Sequence, residues 1–284
     1  MSTTKIIKSL SFGFGFSALF GSASVLADTY RLDLTINGGI AENDVISNGT
    51  DIGSFDVEQG GLTGSVYFSD VDTEEGPYAE APFLNKSSFA RVGSTHFNTI
   101  YSNGADQREE NFATLHVVAG ERVIVEATGA TGGVVNVQAG AYITDTISAT
   151  AGYTRFDADA GLSPFVGDIE FDAYSINVHG VQSIGDVSAI SYDATASYVD
   201  GDGAYGSMFD VEGTYYLLQS LGFSAQAGYS TIGGIDLWSI GAGAEYYITP
   251  KISLAVDYNY SETDEAFPSY LEINTVTGNA QFRF

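Results

Sequence analysis

The chain has 284 residues, no cysteine, and 36 Asp and Glu against 10 Lys and Arg, a formal net charge of −26. The missing cysteines exclude a disulfide framework, a thiolate metal site and a cysteine nucleophile. The acidity excludes nucleic acid and anionic membrane surfaces as partners.

The first 27 residues read as a secretory signal peptide: Lys5 and Lys8, then a short apolar stretch, then Val25-Leu26-Ala27 before Asp28. Gly13, Gly15 and Gly21 interrupt the apolar stretch, which falls short of the ~20 strongly apolar residues of a permanent helical span. Cleavage between Ala27 and Asp28 leaves 257 residues, with 8 basic and 36 acidic side chains and a net charge of −28.

Beyond Asp28 the dominant signal is alternation with period two, the mark of a strand whose successive side chains point to opposite faces. Tyr30, Leu32, Leu34 and Ile36 alternate with Arg31, Asp33, Thr35 and Asn37; a polar run from Gly38 to Asp51 follows. A second strand spans Ser54 to Phe68. Phe55 and Val57 are out of phase with Leu62, Gly64, Val66 and Phe68, so a bulge is expected at Gly60-Gly61. Next comes a connector from Asp70 to Leu84 with Pro77 and Pro82.

At this connector the chain resembles a known family. Val66-Tyr67-Phe68-Ser69, then Val71-Asp72-Thr73, Gly76-Pro77, Ala79-Glu80-Ala81 and Phe83-Leu84 are similar to the general porins of marine gammaproteobacteria. The likeness is strong over about twenty residues and one of pattern elsewhere. It implies an outer-membrane β-barrel porin with a local helical turn in the connector, where Pro82 replaces the family's usual small residue. It names no solute.

The remaining strands follow in order. Residues 86–101 form one strand and Ser102 to Asn111 an acidic loop; Phe112 to Val118 and Arg122 to Thr128 flank a turn at Ala119-Gly120-Glu121. Val135 to Ile143 and Ile147 to Thr154 meet at a tight turn, and Asp157 to Gly167 is a long loop. Strands then run over 174–179, 190–198, 209–217, 223–230, 238–246 and 253–260, separated by short and long connections in turn. An acidic run, Ser261 to Ser269, leads to the last strand. There Val276, Gly278, Ala280, Phe282 and Phe284 oppose Thr277, Asn279, Gln281 and Arg283.

A soluble sandwich would show the same alternation with its apolar face inside. Strand lengths near ten residues, alternating connection lengths and Ala- and Gly-rich apolar faces point instead to a transmembrane antiparallel up-and-down barrel. Parity requires an even count: fourteen strands, with twelve as the alternative, and every long acidic loop on the outside. The ending on Phe282 and Phe284 resembles the signal read by the barrel assembly machinery. The expected setting is therefore the lipid of a Gram-negative outer membrane.

No catalytic motif surrounds His96, His116 or His179, and no residue is assigned a catalytic or metal-binding role. Asp200-Gly201-Asp202-Gly203 lacks the spaced ligands and closing Glu of a calcium loop and reads as a solvated turn. No cofactor is expected. The reading is a water-filled channel for small hydrophilic solutes and ions. Its alternatives are a plugged structural or adhesive barrel and an outer-membrane hydrolase. By parity Asp33, Asp193, Asp210, Glu212, Glu245 and Asp257 face the lumen, together with Asp56 and Glu58. Against them stand Arg31, Arg283 and a neutral His179. Such a lining favours cations.

Overall fold

The computed structural model describes residues 29–47, 50–101, 104–158, 169–185, 188–201, 204–263 and 269–284. The expected signal peptide and its cleavage site lie outside the described residues. So do residues 159–168 and 264–268, within two of the expected long loops.

Fourteen strands form one closed antiparallel barrel among the described residues, which settles the choice between fourteen and twelve. They are β1 (Thr29–Ser47), β2 (Thr50–Asp72), β3 (Phe89–Tyr101), β4 (Gly104–Ala119), β5 (Val123–Ala130), β6 (Val134–Thr144) and β7 (Ile147–Ala158). The second half is β8 (Ile169–Ser183), β9 (Ala189–Gly201), β10 (Ala204–Leu218), β11 (Leu221–Ile232), β12 (Ile235–Thr249), β13 (Ile252–Thr263) and β14 (Ser269–Arg283). Each pairs with its sequence neighbour, and β1 closes on β14 with Asp33 opposite Arg283 and Leu34 opposite Phe282.

The wall is apolar outside and polar inside, the reverse of a water-soluble barrel. Val66, Phe68, Val92, Val211, Phe223, Ile240 and Val256 are exposed on the outer surface. The rings form two belts. Tyr215, Phe223 and Tyr246 lie near the end that carries both termini; Phe209, Tyr229 and Trp238 are in register nearer the other end. Between the belts the outward residues are small or aliphatic: Val211, Gly213, Ala225, Ala227 and Ala242. Two aromatic girdles around an apolar band match a lipid layer and its interfaces. Inside, polar side chains bond one another across strands: Thr114 with Thr128 at 2.8 Å, Asn136 Nδ2 to Thr154 Oγ1 at 2.7 Å, and Gln138 Nε2 to Glu126 Oε1 at 2.9 Å.

β1 and β2 are longer than the alternation suggested, 19 and 23 residues, whereas crossing a bilayer takes about 9–11. The polar run after Gly38 is strand as far as Ser47, and the acidic stretch before Asn111 is strand from Gly104. Hydrophobic patterning could not find these parts, because beyond the bilayer both faces of a strand meet water. Nor is there a bulge at Gly60-Gly61: the β1–β2 register runs unbroken from Leu32–Val66 to Val45–Gly53. The strand needs Gly61 for another reason. A Cβ there would come within 2.5 Å of Asn37 Oδ1. With no phase change, Asp56 and Glu58 share the outward parity of Leu62 and Val66, and Asn98 Nδ2 donates to Glu58 Oε2 at 3.2 Å.

The β1–β2 register shifts instead at its two ends, between Tyr30 and Leu32 and between Val45 and Ile46, and at the first of these β1 carries an extra residue against β14. The amides of Arg31 and Leu32 both donate to Phe284 O, at 2.8 and 3.0 Å, and the Phe284 amide donates to Leu32 O at 2.8 Å. The extra residue reverses the facing of what precedes it. Tyr30 turns inward and is buried, while Arg31 turns outward and pairs with Asp70. Arg31 therefore does not line the lumen.

Candidate functional site

Fourteen strands about 4.8 Å apart, tilted by ~40°, close around a backbone cylinder about 28 Å across. That is wider than wall side chains can fill, so the terminal mouth would stand open without a further element. The connector between β2 and β3, residues 73–88, supplies it. The count places this connector at the end with the termini, where the other connections are short turns. It is long and acidic, against the expectation that all such loops lie at the opposite end.

The connector folds into the mouth. A 3-10 turn (Tyr78–Glu80) leads into α1 (Ala81–Leu84), with Pro82 in the first turn of the helix, where its missing N–H costs nothing. The helical turn thus forms despite the proline. Gly76 at φ +77° and Lys86 at φ 52° reverse the chain on either side. Asn85 fastens the two legs: its Nδ2 donates to Asp72 O at 2.7 Å and Ala81 O at 2.8 Å, and its Oδ1 accepts from the Asp72 amide at 3.1 Å.

On its own side of the barrel the connector is held by apolar packing. Ala81 and Val71 are fully buried against Tyr30 and Tyr67, whose rings meet edge-on at 5.5 Å. Across the mouth the contacts are largely polar. The Tyr78 amide donates to Gln219 O at 2.9 Å and Tyr142 Oη donates to Phe83 O at 3.0 Å, while nearer the docked side Arg283 Nη1 on β14 donates to Tyr78 O at 2.8 Å. Lys86 Nζ lies 2.8 Å from Asp145, a fully exposed turn carboxyl, which this ammonium holds below the usual carboxylate range.

Glu80 reaches the far wall, about half the circumference from β2 and β3. Its Oε2 is 3.1 Å from His179 Nε2 on β8, and its Oε1 accepts from Tyr216 Oη on β10 at 3.1 Å. His179 Nδ1 lies 3.4 Å from Asp193 on β9, and Phe83 packs edge-on against the ring at 4.3 Å. With a carboxylate at each nitrogen, both must donate, which is the imidazolium form. The expectation of a neutral His179 is corrected: its acidic partner Glu80 lies 99 residues away in sequence. Both nitrogens being engaged, none is left to activate a hydroxyl nucleophile.

Between Glu80 and the wall lies a cavity of about 380 Å³, lined by Asp193, Glu212, Glu245 and Asp257 among others. Four of the sequence-selected acids thus converge on one space. Asp210 lies farther along β10 beside Gly228, outside that lining. Asp33 and Arg283 form a separate, buried group. Arg283 is sandwiched between the Tyr30 and Tyr247 rings at 4.7 and 4.8 Å, with its Nε 3.6 Å from Asp33. Gln281 Nε2 donates to the same carboxylate at 2.5 Å. Phe282 and Phe284 sit at the β14–β1 seam. The residues missed from sequence are Glu80, Tyr78, Tyr216 and Tyr247.

An inside-out barrel of fourteen strands, with an acid-lined lumen narrowed at the terminal mouth, defines an outer-membrane type of β-barrel. The known structure of Acinetobacter baumannii outer membrane protein Omp33 is similar, with a TM-score of 0.57 at 19% identity, covering 90% of this chain and 99% of that one. A bacterial polysaccharide outer membrane secretin is similar with a TM-score of 0.50 at 9% identity, covering 90% and 99%. At these identities the likeness is one of fold. No protein-family model and no curated protein sequence matches.

Proposed function

We propose that this protein is an outer-membrane porin, exported by a cleaved signal peptide, that passes small hydrophilic solutes and ions and prefers cations. The end with both termini then faces the periplasm. The resemblance of the Val66–Leu84 segment to marine gammaproteobacterial general porins supports the same class. The observation that carries the reading is the acid-lined cavity between Glu80 and the wall: a polar passage beside the connector, with Asp193, Glu212, Glu245 and Asp257 facing one imidazolium. Water fills such a space, and its carboxylates concentrate cations and exclude anions.

The test is planar-bilayer recording of the purified, heat-modifiable barrel. Stepwise conductance with a reversal potential on the cation side in a potassium chloride gradient is expected. The connector lying across the mouth favours one second reading, a plugged structural barrel. That reading requires silence from the wild type and from variants that only weaken the far-side contacts, with conductance appearing once residues 77–86 are replaced by a short glycine linker.

A further inference from the structure

We propose that residues 73–88 are a gate: the connector stays docked on Tyr30 and Tyr67, and its far edge swings away when Glu80 leaves His179 and Tyr216. The proposal rests on the channel reading and adds regulation to it.

Three observations carry it. The first is asymmetry. The near side is sealed by Val71, Ala81 and the two tyrosines, which water cannot replace. The far side is held by hydrogen bonds to Gln219, Tyr142, His179 and Tyr216, which water can replace, with one apolar ring, Phe83, lying against Tyr142 and His179. The second is that the moving part is one piece. Left-handed residues Gly76 and Lys86 bracket the helical segment, and Asn85 ties its end to the β2 strand. The third is electrostatic. Glu80 faces Asp193, Glu212, Glu245 and Asp257 across the cavity. His179 is the cation that turns this repulsion into attachment, with the Tyr216 hydroxyl as a second tie. A carboxylate drawn to one cation among like charges has two arrangements, and that cation biases the choice between them.

The experiment compares open-to-closed ratios in bilayers for the wild type, His179→Ala, Glu80→Gln, the double variant and Tyr216→Phe, each first shown to be heat-modifiable. His179→Ala should raise the ratio at least about tenfold, the loss of one charge-assisted hydrogen bond. Glu80→Gln should raise it less, since it removes the repulsion together with the tie. In the double variant Glu80→Gln should partly restore closure, which general damage at the mouth would not do. The chain has no cysteine, so Tyr78→Cys with Gln219→Cys, bridged by a short bis-methanethiosulfonate, should hold the small conductance until reduced.

A wild-type conductance pattern in His179→Ala and Tyr216→Phe overturns the gate. So does full opening of the bridged protein. Silence in the wild type and in every point variant overturns the channel reading and the gate with it, whether or not the glycine-linker form conducts.

Discussion

Replacing Glu212 by Gln and Asp257 by Asn removes two of the cavity carboxylates with little change in side-chain volume. A sphere of about 380 Å³ has a radius near 4.5 Å, which puts an ion at its centre about 6 Å from the lining charges. One unit charge at that distance in water contributes about 0.7 kcal/mol, reduced to about 0.3 kcal/mol by physiological salt. The sign is opposite for a cation and an anion, so each carboxylate changes the permeability ratio by about threefold, and the pair by about ninefold. Reversal potentials across a bilayer in a potassium chloride gradient measure this ratio directly. Asp210→Asn is the comparison, a lumen acid outside the cavity lining, and should shift the ratio less. An unchanged reversal potential in the double variant, or an anion-selective wild type, would refute the assignment of the cavity as the selective passage.

Three further outcomes are expected. Intact-mass analysis of the outer-membrane form should show a chain beginning at Asp28. Deleting Phe284 removes the three main-chain hydrogen bonds that join it to Arg31 and Leu32, a loss of about 2–4 kcal/mol; heat-modifiable barrel should fall in yield and melt earlier. Arg283→Met leaves Asp33 buried without its cation and should cost about 3–5 kcal/mol. Adding Asp33→Asn should recover part of that on the heat-modification midpoint, and a double variant no better than the single one would show that the pair is not coupled.

The strand order, the inward and outward faces and the meeting of Asp33 with Arg283 were legible in the sequence, because lipid outside and water inside impose alternation on every crossing segment. What alternation cannot show is a bulge forced by closure. Arg31 looked inward because it shares parity with Asp33, and only the double grip of its own and the next amide on Phe284 O turns it out. Gly60-Gly61 gave a false bulge, since a glycine admits close backbone approach as readily as an extra residue. The connector carried one usable signal. Once fourteen strands are counted, residues 73–88 fall at the end of short turns, and a long proline-bearing segment there has no reason to exist unless it packs. Its partners, His179 on β8 and Tyr216 on β10, are 99 and 136 residues from Glu80, a separation no local pattern reports.

The charge at the site follows from how few cations remain after closure is secured. Beyond the signal segment there are eight Lys and Arg. Arg31, Lys86, Arg108, Arg155 and Arg283 each pair with an acid. Arg91 is committed to Ser65 Oγ at 3.0 Å and to the Phe89 ring. None of these six lines the cavity, and neither do the other two, Arg122 and Lys251. In the cavity lining the four wall carboxylates and Glu80 therefore face a single cation, His179, and it is the one that ties Glu80. Selectivity and closure are in this way coupled. Any change that neutralises wall acids lowers cation preference and, at the same time, the repulsion that acts on Glu80, so the Glu212→Gln, Asp257→Asn variant should be both less selective and more often closed.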